Sequence, residues 1–329
     1  MRAFELEQVT GSMKCRRHAL AAMGALIGAT ALAAPVMAEG ARATPWAVTS
    51  RIKIAYEEPT SDAFRPIYQR LKQLQVLERL QRFLAPLRLT RDLTVKAAEC
   101  PNPPSGRAYA YVPYQPGQPV LICYNYVKLI EDLAPEVTPE TTNYKTVGQA
   151  LVSREMALVG PFVQEVLHNV ALAVIEILEV PVWGRAEDAA DNVSALLMMQ
   201  FGTEVALKTV LGSAYFLNAV NRLVVSKKDA KGNPISSYTL AYLGDIRPPM
   251  LQRYYNLLCM AVGKDVVIFS SLVALNREPS MFELSWEKAM DCRFDYRQVA
   301  DGFRATILDK YVDPELLKEI RATDWLKDP

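Results

Sequence analysis

FVQEVLHNVALAVIEILEVPVWGRAEDAADNVSALLMMQ, residues Phe162 to Gln200, is the stretch whose reading decides the fold. Its first half, Phe162 to Glu179, carries no charged residue from Val166 to Ile175, and its apolar positions go all the way round a helical wheel. That is the pattern of a helix buried on every side. His168 sits in the middle of it. Pro181-Val182-Trp183-Gly184 reads as a turn, and Arg185-Ala186-Glu187-Asp188-Ala189-Ala190-Asp191 opens a second helix, with Glu187 and Asp191 four apart on one face. An imidazole on a buried helix with carboxylates on the next one is a candidate metal or acid-base site.

These residues resemble a family of secreted bacterial putative metallopeptidases, whose signature is H-E-x-x-H followed by a helix start of the form G-R-x-E-D-x-x-D. The likeness rests on Leu167 to Glu176, on Val180 to Asp191, on Arg253 to Cys259 and on the surroundings of Cys292, so it covers roughly Ile52 to the C-terminus. The resemblance implies a zincin-like fold, zinc as cofactor, and a third zinc ligand from the helix after the motif. In an ungapped alignment His168 takes the first histidine, Asn169 stands where the general base would be, and Leu172 stands where the second histidine would be. A shifted reading, Gln164 to His168, restores a glutamate and the second histidine but loses the first. It also needs a four-residue insertion before Pro181, so the ungapped reading is preferred.

A zincin needs two histidines at i and i+4 facing one ion, and a glutamate to deprotonate the bound water. The chain has two histidines, and His18 falls in the leader described below, so the mature protein owns one imidazole. Asn169 cannot act as a base. Two readings of His168 stay open. In one, His168 with carboxylates from Glu187, Asp188 or Asp191, Glu187 and Asp191 foremost, holds a metal, a set that suits harder cations than zinc. In the other, preferred, His168 is a core histidine bonded to a carboxylate while the acids cap the second helix and offset its dipole. A paired-carboxylate hydrolase drawn from Glu165, Glu176, Glu187 and Asp191 is a further possibility. The sequence has no nucleophile elbow, P-loop or dinucleotide fingerprint.

Lys14, Arg16 and Arg17, then apolar Ala19 to Leu32, then Val36-Met37-Ala38 read as a signal peptide cleaved after residue 38, with Met1 to Ser12 as an upstream extension. The Arg16-Arg17 pair leaves general and twin-arginine export both open. Removing residues 1–38 leaves 33 basic against 34 acidic residues, a near-neutral chain with no basic stripe for nucleic acid. After the leader no apolar run approaches the roughly 20 residues of a membrane span. Cys100, Cys123, Cys259 and Cys292 remain, an even number suited to an oxidising compartment. Of three possible pairings the local ones, Cys100 with Cys123 and Cys259 with Cys292, are favoured.

With 50% hydrophobic and 22% charged residues, 39–329 reads as one globular domain, with a sheet-bearing part at 51–133 and a helical part at 147–323. Arg51 to Tyr56 alternates as a strand, and Ser61-Asp62 begins a helix to about Leu84. Leu93 to Ala97, Ala108 to Val112 and Val120 to Ile122 read as a small antiparallel sheet, in which Tyr109 and Tyr111 could line a peptide groove. Helices are expected at Tyr124–Leu133, Val147–Val159 with a break at Gly160-Pro161, Glu204–Val225, Met250–Val262, Val266–Leu275, Tyr296–Asp309 and Pro314–Ala322. The fold class is therefore α+β, mainly helical, with a small N-terminal sheet packed on a bundle around a buried central helix. Two functions follow: an exported, catalytically inactive relative, without cofactor, that binds peptide or an envelope protein, or an active metal-dependent hydrolase with a rearranged site. Either would be periplasmic or secreted.

Overall fold

The structure, a computed structural model, describes residues 51–101, 112, 114–136, 145–225, 247–275 and 283–322. Strands β1 (Ile52–Tyr56), β2 (Leu93–Ala98) and β3 (Val120–Cys123) form one sheet in that order. Both pairings are parallel, with Ile54 opposite Val95 and Val95 opposite Val120, which corrects the antiparallel sheet expected from the sequence. A period of two reports which face is buried and says nothing of strand direction. Direction follows from the connection, since parallel neighbours need a crossover of a dozen or more residues. The link from β1 to β2 carries helices α1 (Arg65–Gln73) and α2 (Val76–Leu84). Residues 102–111, including the expected strand from Ala108 and both Tyr109 and Tyr111, lie outside the described residues.

The helix expected from Ser61 to Leu84 is instead three pieces. Ser61 caps a 3-10 turn, Asp62–Phe64, its Oγ accepting from the Ala63 amide at 3.3 Å. Gln75, in the left-handed region at φ 49°, then separates α1 from α2. The apolar positions fall as the spacing requires, with Ile67, Leu71, Leu77, Leu80 and Leu84 buried. Helix α3 (Tyr124–Leu133) follows β3 directly, as expected.

Val147–Val159 is not a helix from its start. Lys145–Val147 and Ala150–Val152 are a short antiparallel pair, β4 and β5, turning at Gly148 with φ 56°. Ser153 then caps helix α4, which runs unbroken through Gly160-Pro161 from Arg154 to Ile177. The glycine read as a breaker is a packing device. A Cβ on Gly160 would stand 2.4 Å from the Thr209 carbonyl oxygen, and one on Gly212 would stand 1.7 Å from that of Met156. Gly212 lies on α6 (Thr203–Val225), so α4 and α6 touch backbone to backbone there. Thr90 Oγ1 closes the other end of α4 by donating to the Ile177 carbonyl at 2.9 Å.

Helix α5 (Ala186–Met198) covers α4 from one side, and α7 (Met250–Lys264) packs on α5 and α6. The helix expected at Val266–Leu275 is replaced by a turn, because Asp265 Oδ1 accepts from the amides of Val267 and Ile268. A 3-10 turn at Ser270–Leu272 and strand β6 (Val273–Ala274) follow, with β6 paired in parallel to β7 (Leu284–Ser285). Helix α8 starts ten residues earlier than expected, at Trp286 behind a Ser285 cap, and runs to Phe303. A π-helical turn, Arg304–Leu308, continues it, and α9 is Pro314–Ala322 as read from the sequence.

By length and apolar composition α4 would pass as a membrane span, contrary to the sequence expectation, but most of it is buried inside the protein. Both local disulfides form: Cys100–Cys123 joins the ends of β2 and β3, and Cys259–Cys292 joins α7 to α8. Two disulfides fit an oxidising, extracytoplasmic location.

Candidate functional site

His168, on the face of α4 that meets α5, is wholly buried. Its Nδ1 stands 2.8 Å from Asp191 Oδ1 and its Nε2 2.8 Å from Glu187 Oε2. The sequence spacing puts both acids on one side of α5, so one ring bridges them. With a carboxylate oxygen at each ring nitrogen, neither nitrogen is left for a third partner.

Two arginines complete the group. Arg253, on α7, grips Asp191 with two bonds, Nε to Oδ2 at 2.8 Å and Nη2 to Oδ1 at 2.6 Å. Arg247 does the same to Glu165, at 3.1 and 3.0 Å, and its Nε lies 3.0 Å from Glu187 Oε2. Asn169 donates Nδ2 to the Glu165 carbonyl and to its Oε1, at 3.0 and 2.9 Å. All seven residues are under 9% exposed. Three carboxylates thus face two guanidiniums and the imidazole that bridges two of the carboxylates.

Electrostatics hold the acids ionised. Burial alone would push each of them up, but Arg247, with His168 and Arg253 behind it, brings Glu165 down to about 2. Asp191 is likewise held well below the usual carboxylate range by Arg253 and His168 against burial, and Glu187 is lowered by His168 and Arg247. Asp191 in turn keeps Arg253 firmly charged in spite of its burial. A general acid needs the opposite, a carboxyl that keeps its proton near neutrality. The shifts here run the other way.

The structure brings together His168, Glu187, Asp191 and Glu165, and leaves the other candidates outside. Glu176 pairs with Arg91 and accepts from Tyr114, apart from the other three carboxylates of the paired-carboxylate reading. Asp188 pairs with Arg185. Leu172 is buried in a small apolar patch with Ala171 and Ala190. Arg247 was missed in the sequence. Arg253 was seen as part of a matching run but given no role. Both approach from outside the quoted stretch, and local spacing carries no signal of such partners.

Would zinc fit? A metal-bound imidazole needs a free lone pair, and both nitrogens of His168 face carboxylates. A divalent ion would also meet two buried guanidiniums and, at Leu172, a hydrocarbon side chain. Among the described residues no group of three or more His, Cys, Asp or Glu side chains is arranged to hold a metal ion. The residues do not fit zinc. Access is also poor, since the cavity that reaches Glu165 and Asn169 has a volume of only about 10 Å³, roughly the room of one water.

A family model matches residues 56–306, about three quarters of the chain, and therefore the whole of this buried group. Its description is "Putative metallopeptidase", DUF4344. The chain belongs to that family. Comparison with curated proteins and with solved structures returned no significant match. Within the DUF4344 framework the place read as the zinc site holds a closed ion network in this chain.

Proposed function

We propose that this protein is an exported, non-catalytic member of its family, in which the former reaction centre has become a structural ion network. The observation that carries this reading is the pair of 2.8 Å contacts that occupy both nitrogens of the mature chain's one imidazole. Asn169 in place of a base and Leu172 in place of a ligand agree with it. The leader-like residues 1–38 and the two disulfides support passage to the periplasm or beyond.

The role left to such a framework is binding, of a peptide or an envelope protein. Solvent reaches the signature region at a depression of about 450 Å³ lined by Arg185, Asp188, Gln252, Tyr255 and Asn256. Two residues before Arg185, Trp183 is fully exposed, as an anchor for a partner would be. Metal analysis and a peptidase assay on protein from the native envelope test the proposal together. The expected result is less than a tenth of an equivalent of zinc and no chelator-sensitive cleavage. Stoichiometric zinc, with cleavage lost in His168→Ala, would establish an active hydrolase instead.

A further inference from the structure

Behind the ion network, against Val170, Ala171, Val174 and Ile175 of α4, lies a cavity of about 820 Å³. It opens to solvent on one side, and a mainly apolar recess of this size leaves hydrocarbon side chains in contact with water. Its volume falls in the range of small-molecule sites, roughly 300 to 1,000 Å³. The walls come from five further elements: Phe83 of α2, Leu197 of α5, Val205 of α6, Phe303 of α8 and Ile307 of the π-helical turn.

The charged lining has one sign, with Gln200 and Tyr296 as neutral polar neighbours. Lys264, at the end of α7, and Arg304, the first residue of the π-helical turn, both line the cavity and are both solvent-exposed; no aspartate or glutamate lines it. Lys264 is held over the Tyr296 ring at 5.7 Å, and Tyr296 is itself a lining residue. One face of α8 and its continuation, from Tyr296 through Ala300, Phe303 and Arg304 to Ile307, thus presents apolar side chains inward with a cation among them. π-helical turns in α-helices frequently mark functional sites. Here the turn supplies both a wall and a charge.

We propose that this cavity binds a single-chain anionic amphiphile, its hydrocarbon chain against α4 and α5 and its carboxylate or phosphate head between Lys264 and Arg304. Hydrocarbon walls select the chain, since they offer water nothing to bond to. The lone pair of cations selects the sign of the head. Free fatty acids and lysophospholipids share this chemistry. The site is separate from the ion network and does not depend on whether that network is catalytic.

Displacement of a fluorescent fatty acid, cis-parinarate, from the purified full chain tests the proposal below the micellar range. Saturable one-to-one binding is expected, with oleate competing about three- to tenfold better than oleyl alcohol, the worth of two partly screened charges. Lysophosphatidate set against oleate then distinguishes the two sources by whichever competes better. Lys264→Gln with Arg304→Gln, both on exposed side chains, should remove the preference for the acid and leave the alcohol unaffected. Ala300→Trp should fill the cavity and abolish binding of both while the circular dichroism spectrum is unchanged. The proposal is overturned if the probe does not saturate, if the alcohol competes as well as the acid on the unmodified chain, or if Ala300→Trp folds and still binds.

Discussion

Asp191 Oδ1 lies 2.8 Å from His168 Nδ1 and 2.6 Å from Arg253 Nη2, so a single carboxylate oxygen holds two buried side chains from two different helices. Replacing one partner of such a group leaves charge buried without compensation, which typically costs about 3–5 kcal/mol. Asp191→Asn keeps the shape and removes the charge. It should lower the unfolding free energy by that amount in a denaturant titration, against less than about 1 kcal/mol for Asp188→Asn, whose ion pair with Arg185 is part-exposed. Equal losses would mean that the network contributes nothing special.

Acid should undo the fold in a defined window. Glu165 sits at about 2 in the folded protein, below its ordinary value of 4.5. Its ionised form is therefore favoured by folding, and the stability it confers is fully present above about 4.5 and is lost as pH falls toward 2. The linkage amounts to about 3 kcal/mol over that range. Asp191 and Glu187, lowered in the same way, add to the slope. Chemical denaturation at stepped pH should show the fall, and Glu165→Gln should flatten part of it. A profile unchanged by that substitution would contradict the assignment.

Gly212→Ala should destabilise by about 3 kcal/mol or more, because its Cβ would arrive 1.7 Å from a backbone oxygen that cannot swing aside. Gly302, within α8, offers the control. Nothing lies within 4 Å of a Cβ there, and alanine in a helix is favoured over glycine by roughly 0.5–1 kcal/mol. Thermal melts should move in opposite directions for the two variants.

Putting the motif residues back should not put zinc back. In Asn169→Glu with Leu172→His, the new carboxylate would meet Arg247, whose Nη2 is 3.4 Å from Asn169 Oδ1, and His168 would still be bridged by Glu187 and Asp191. Titration calorimetry of that double variant is expected to show no stoichiometric zinc binding at micromolar concentration. A third change, Arg247→Leu, should be needed before any binding is seen. Tight binding by the double variant alone would show that the arginine does not guard the site.

Much of the central architecture was legible in the sequence. The buried helix, the Pro181–Gly184 turn, the second helix from Ala186 and both disulfides were read from period, turn residues and cysteine count. His168 was correctly set beside Glu187 and Asp191 because helical spacing alone puts the acids on one face. The parallel direction of β1, β2 and β3 was misread, although the lengths of their connections carried the signal. Gly160-Pro161 misled for a different reason: a small residue that breaks an isolated helix is the same one that lets two helices meet. Arg247 could not be found by any local rule, since it lies 82 positions from the glutamate it grips.

The bidentate hold of Arg253 on Asp191, and of Arg247 on Glu165, also says how related sequences should differ. A chain that loses one member of either pair alone passes through a poorly stable intermediate, so substitutions here are expected to arrive together. Across the family, positions 165 and 247 should covary in charge, as should 191 and 253, with the histidine position following the second pair. The history of this ion network would then be written in pairs of columns, and an aligned set of relatives would reveal the order in which they changed.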